Sequence, residues 1–166
     1  MAVSPLSRVS APCRARPGGE QSKKGRKSNM KKYLNLSLGY AVAAMAGGVF
    51  YREFTKLNGF TGVTALGKVH PHLFLLGMMV FLLVALFAQR MNLQGSKAFR
   101  PFMVTYNLGV ALTAVMMLVR GVTEVLGVVL SRGADAAISG VAGIGHILTG
   151  VGIVALLLAL KKAAAE

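Results

Sequence analysis

The run His70-Pro71-His72-Leu73-Phe74-Leu75-Leu76-Gly77-Met78-Met79-Val80-Phe81-Leu82-Leu83-Val84-Ala85-Leu86-Phe87-Ala88 decides the fold of this chain. From Leu73 to Ala88 it carries no charge. A helix that crosses a bilayer needs roughly 20 mostly apolar residues. In hydrocarbon only helices and closed barrels satisfy the backbone. A barrel strand would alternate polar and apolar residues, and this run does not. It reads as a membrane-spanning helix with two histidines at its mouth. A polar or ionisable group beside lipid is expensive unless it has a partner or a task. His70 and His72 are therefore the first candidate functional residues.

Three further stretches have the same character, so the spans are expected at about 33–51, 70–88, 102–130 and 138–160. Composition agrees: 54% of the residues are hydrophobic, 14% are charged, Trp is absent and mean hydropathy is +0.60. The expected fold class is all-α, an integral membrane four-helix bundle of up-down topology. Residues 30–166 form its single domain. The third apolar run exceeds the usual membrane thickness, so that helix is expected to be tilted or broken near Gly121. The loop after the first helix contains Asn58-Gly59 and Thr61-Gly62, which read as turns.

The net charge of +14 is distributed in a way that argues against nucleic acid as a partner. Seven of the nineteen basic residues precede Met30: Arg8, Arg14, Arg16, Lys23, Lys24, Arg26 and Lys27. The others sit mostly at the ends of the apolar runs, where they orient a membrane protein. Residues 1–29 are rich in Ser, Pro, Gly and Arg and are expected to be disordered. One reading makes them a basic membrane-surface tail or a transit segment. The preferred reading is a start-site artefact. Met30-Lys31-Lys32 before an apolar helix is a common opening of small bacterial membrane proteins. Lys24-Gly25-Arg26-Lys27 can be encoded by purine-only codons resembling a ribosome-binding site. Cys13, the single cysteine, excludes an internal disulfide and any cysteine-based metal site.

Counting Lys and Arg predicts the orientation. With both termini in the cytoplasm of a bacterial plasma membrane, the inner side carries Lys31, Lys32, Arg90, Lys97, Arg100, Lys161 and Lys162. The outer side carries Arg52, Lys56, Lys68 and Arg132, and the positive-inside rule favours this arrangement. His70, His72, His146, Arg52, Glu53, Arg120 and Glu124 then all map to the outer half. His146 lies eight residues past Ile138, roughly 12 Å deep at about 1.5 Å per residue.

Helical spacing refines this picture. Tyr106, Thr113, Met117, Arg120 and Glu124 share one face, and Arg120 and Glu124, four apart, are expected to pair. In the last helix, Ser139, Gly143, His146 and Gly150 share a face, while Gly145, Thr149 and Gly152 lie on another. Small residues let helices approach closely and make self-association plausible. Alternatively, Gly143 and Gly150 clear space for a flat cofactor beside His146. Ala44 and Gly48 form a similar contact motif in the first helix. Pro71 is expected in the first turn of its helix, where its missing N–H costs nothing. Residues two apart point about 200° apart, so His70 and His72 are not expected to grip one ion together.

His70-Pro71-His72-Leu73-Phe74-Leu75-Leu76-Gly77 fits H-x-H-x-x-x-x-G. It resembles the helix of heme–copper oxidase and nitric oxide reductase large subunits that places two histidines on opposite faces. The match spans eight residues of a far shorter chain, and it implies no oxidase or reductase chemistry. From Met30 onward the chain is similar to an uncharacterised bacterial family of small four-helix membrane proteins, a domain of unknown function. Phe50-Tyr51-Arg52-Glu53-Phe54, His70-Pro71-His72-Leu73-Phe74 with Leu76-Gly77, and Gly143-Ile144-Gly145-His146 carry that likeness. It implies the fold and no activity.

Three functional readings remain open. The first is a non-catalytic structural or assembly protein of the lipid bilayer, alone as a homo-oligomer or within a larger membrane complex. The second is a b-type heme protein in which His70 or His72 pairs with His146 and Arg120 or Arg52 meets a propionate. The third is a metal or proton transporter or accessory subunit using His70, His146 and Glu124. Met78, Met79, Met116 and Met117 would suit a soft ion, although methionine in apolar helices is commonly packing. No catalytic motif stands in a plausible context, so the chain is not expected to be an enzyme.

Overall fold

The computed structural model describes residues 18–165. Four long helices account for nearly all of them: α1 (Gly18–Leu57), α2 (Leu66–Arg90), α3 (Phe99–Val125) and α4 (Arg132–Ala164). Each contains a stretch long and apolar enough to cross a membrane, that of α1 being Ser28–Leu57. The connections are short, and consecutive helices pack side by side: α1 on α2, α2 on α3, and α3 on α4. This is the expected all-α four-helix architecture. Its ends differ chemically. Lys31, Lys32, Arg90, Lys97, Arg100, Lys161 and Lys162 gather at one, the basic end. The opposite, histidine end holds His70, His72, Arg120 and Glu124.

Helix limits follow local chemistry more closely than hydropathy. The stretch 18–29, expected to be disordered, is helical as the start of α1. Pro17 is the last proline before Pro71, so nothing past it interrupts the helix. Residues 1–17 lie outside the described residues.

The third helix, expected to reach residue 130, stops at Val125 and runs unbroken through Gly121. Gly127 has φ 64°, and its N–H and that of Val128 return to the Glu124 and Thr123 carbonyls. That pair of bonds is a Schellman termination, which needs a residue in the left-handed region. Gly59, φ 60°, ends α1 in the same way. At the other terminus α4 begins at Arg132 rather than 138. The Ser131 hydroxyl accepts from the Ala134 N–H at 3.2 Å, and Asp135 sits in the first turn. Both favour a helix start.

Within α2, Pro71 lies beyond the first turn, because the helix begins at Leu66. Its missing N–H leaves the Gly67 carbonyl without an α-helical partner. The next residues, Leu73–Met79, wind as a π-helix. Insertions of this kind accompany local disruption of the regular ladder. Neighbouring helices fasten this segment from both sides. The Tyr106 hydroxyl of α3 donates to the Leu76 carbonyl at 2.7 Å, and the Ser37 hydroxyl of α1 donates to the Met78 carbonyl at 2.9 Å. Tyr40 also donates to Asn107 Oδ1 at 3.0 Å, joining α1 to α3 directly.

The buried core lies among α1, α2 and α3 toward the basic end. Phe81, Phe102 and Tyr106 are fully enclosed and contact one another, with Tyr33, Tyr40 and Phe99 completing the aromatic cluster. The α3–α4 interface is built from small residues instead. Gly109 faces Thr149 and Gly145, Gly145 faces Thr113, and Gly152 faces Tyr106. A methyl at Gly109 would lie 2.5 Å from the Thr149 backbone nitrogen, so only glycine permits this approach. Close approach between small residues, with its dispersion contacts, is what holds helices together in lipid.

Candidate functional site

The sequence-predicted residues occupy three separate places. His70 belongs to the α1–α2 pair. Its ring packs over Gly48, where an added methyl would sit 3.6 Å from the His70 Cγ. Its Nδ1 is buried without a hydrogen-bond partner among the described residues. Ala44, fully buried, and Gly48 thus form the contact motif read from the sequence. His72 points elsewhere, as the two-residue spacing requires, and its Nδ1 bonds to the Lys68 carbonyl at 2.8 Å.

His146 belongs to the α3–α4 pair. It is exposed, and its Nδ1 bonds to its own helix at the Ala142 carbonyl, 2.8 Å away. A carbonyl only accepts, so Nδ1 carries the hydrogen and Nε2 is left with the lone pair in the neutral ring of both His72 and His146. The glycines on the His146 face, Gly143 and Gly150, have open space in front of them. The adjoining Gly145–Thr149–Gly152 face makes the helix contact.

His146 therefore looks out from the molecule while His70 looks toward α1. Among the described residues no hydrogen bond joins His70 or His72 to His146. The helical pairing explains this: α4 packs along α3, and α1 along α2. The metal set of His70, His146 and Glu124 is dispersed for the same reason. Among the described residues no three His, Cys, Asp or Glu side chains cluster as a metal-holding group.

Arg120 and Glu124 do come to a common site, but not as a pair. Arg120 Nη2 reaches across to α4, 2.9 Å from Asp135 Oδ1 and 2.8 Å from Ser139 Oγ. Glu124 turns the other way and accepts from the Ala65 N–H at 2.7 Å, at the start of α2. Thr64 adds to this junction, donating to the Gly121 carbonyl at 3.1 Å and accepting from the Leu66 N–H at 3.3 Å. A carboxylate beside free N–H groups at a helix start is favourable. The expected Arg120–Glu124 pair is thus replaced by two interhelix links, because each side chain finds a partner on a neighbouring helix. The cleft between them has a volume of about 340 Å³ and is also lined by Arg132 and Asp135. At this end, Arg52 pairs with its neighbour Glu53 at 3.2 Å on the surface.

Sequence reasoning missed Asp135 and Thr64. Asp135 is the only aspartate in the chain, and an arginine inside an apolar run needs an acid. Starting the last span at 138 left that acid outside the helix.

No curated protein and no solved structure matches this chain. The oxidase resemblance of the His70–Gly77 stretch accordingly finds no support. A family match covers residues 30–163, the four-helix unit whose geometry is described above. The chain belongs to the family described as protein of unknown function, DUF2871.

Proposed function

We propose that this chain is a multi-pass membrane protein with a non-catalytic structural or assembly role. One observation carries the reading: five polar side chains of the helices, Ser37, Tyr40, Tyr106, Arg120 and Glu124, join one helix to another. Arg120 links α3 to α4, Glu124 links α3 to α2, Tyr106 and Ser37 grip the π-helical segment, and Tyr40 meets Asn107. Interhelix hydrogen bonds and close glycine contacts are the usual cement of membrane bundles.

The intended location is a bacterial plasma membrane with both termini in the cytoplasm. The seven basic residues at one end, against Arg52, Lys56, Lys68 and Arg132 at the other, support that orientation. The outward His146 face, open at Gly143 and Gly150, supports association with a second copy or a larger complex.

The test is a native gel of membranes solubilised in mild detergent. The chain should migrate in a particle well above its 17.4 kDa mass plus detergent. It should do so equally when His70, His72 and His146 are all replaced by Gln. A lone monomer would contradict the assembly reading. Collapse of the particle only in the histidine variant would return the function to those rings.

A further inference from the structure

At the basic end a cleft of about 910 Å³ is bordered by α1, α3 and the α2–α3 connection. Its volume lies within the range of about 300–1,000 Å³ usual for small-molecule sites. Lys32 and Asn35 line it from α1, Gln94 from the α2–α3 connection, and Arg100 from α3. Deeper in the membrane the walls are Leu36, Met103 and Val104. The Tyr40–Asn107 hydrogen bond joins the two helices farther in.

Charge singles this cleft out. Among the described residues no acidic side chain lines it. Among the described residues the ion pairs are Arg52–Glu53 and Arg120–Asp135, so neither Lys32 nor Arg100 has an acidic partner. Two cations sharing one cleft repel, and a bound anion relieves that repulsion. A further donor is available from Tyr33, which is 4% exposed and also lines the cleft. Gln94 Nε2 donates to the Tyr33 oxygen at 3.1 Å. The phenolic hydrogen is left without an acceptor among the described residues.

We propose that this cleft binds an anionic glycerophospholipid, with Lys32 and Arg100 on the headgroup phosphate and an acyl chain along Leu36, Met103 and Val104. Basic pockets between transmembrane helices recognise anionic headgroups. Arginine grips phosphate through a planar fork and lysine as a point charge. The apolar wall selects a lipid over free phosphate. Val104 is 67% exposed, and in a membrane that surface faces acyl chains.

The test uses the full chain purified in a neutral detergent. Native mass spectrometry reads bound lipid, and thermal unfolding reads stabilisation, with phosphatidylglycerol, phosphatidylcholine and inorganic phosphate added separately. Phosphatidylglycerol should remain bound and raise the melting temperature. The double variant Lys32→Ala with Arg100→Ala should weaken that binding at least tenfold. Met103→Trp should fill the apolar wall and also weaken it, with both cations in place. Lys161→Ala with Lys162→Ala, at the same end but outside the cleft, should bind like the parent. Parent-like binding by the Lys32/Arg100 variant would overturn the proposal. So would equal binding of phosphatidylcholine, equal stabilisation by inorganic phosphate, or equal loss in the Lys161/Lys162 variant.

Discussion

The two interfaces of α3 are held by opposite means. Toward α1 and α2 it presents Phe99, Phe102 and Tyr106 to Tyr33 and Phe81, and the contact is made by bulk. Toward α4 it presents Gly109 and Thr113 to Gly145 and Thr149, and the contact is made by the absence of bulk. Tyr106 belongs to both, its ring among the aromatics and its Cβ against Gly152. The difference teaches that one helix can be sensitive to losing atoms on one side and to gaining them on the other. In lipid there is no hydrophobic drive between helices, so both sides depend on contact quality.

The largest expected effect is truncation on the aromatic side. Phe102→Ala should cost about 3–5 kcal/mol, read from thermal or denaturant unfolding in detergent. Enlargement on the glycine side comes next. Gly109→Ala should cost about 1–3 kcal/mol, because backbone rather than a flexible side chain lies in the way. Gly150→Ala, on the open face of α4, is the control and should change stability by less than about 0.5 kcal/mol. Equal costs at Gly109 and Gly150 would break the comparison.

Smaller still is the charged seam at the histidine end. A double-mutant cycle between Arg120→Ala and Asp135→Ala should show coupling of no more than about 1 kcal/mol, since Asp135 is half-exposed. The Arg120 and Glu124 cycle should show coupling near zero. The reverse order would restore the i, i+4 pair expected from spacing. The topology has its own check: a reporter fused to the C-terminus should score as cytoplasmic.

The fold was legible because long apolar runs in a short chain leave few alternatives. Leu73–Ala88 was enough to mark one helix as long and apolar enough to span, and its neighbours followed. Boundaries were less legible, because hydropathy does not register caps. Gly127 and Ser131 move the ends of α3 and α4 by several residues each, and both act through backbone geometry. The candidate site was legible only in part. Spacing placed Arg120 and Glu124 on one face and sent His70 and His72 different ways. It could not say which face of α4 meets α3. The choice between Gly143/Gly150 and Gly145/Gly152 depends on register against Gly109 and Thr113, which a single helix does not encode. That choice turns His146 outward. The π-helical segment was equally hidden, since Pro71 marks a disturbance without fixing how the next residues rewind.

The central proposal is that Arg120, Glu124, Tyr106, Ser37 and Tyr40 serve to join helices and that the histidines serve no heme. Titration of hemin into the purified protein, followed by the visible spectrum, tests it most directly. The account predicts no low-spin bis-histidine spectrum, and the same response from the parent and from the His70→Ala, His72→Ala and His146→Ala variants. A stoichiometric low-spin spectrum that His146→Ala and either His70→Ala or His72→Ala each abolish would contradict it.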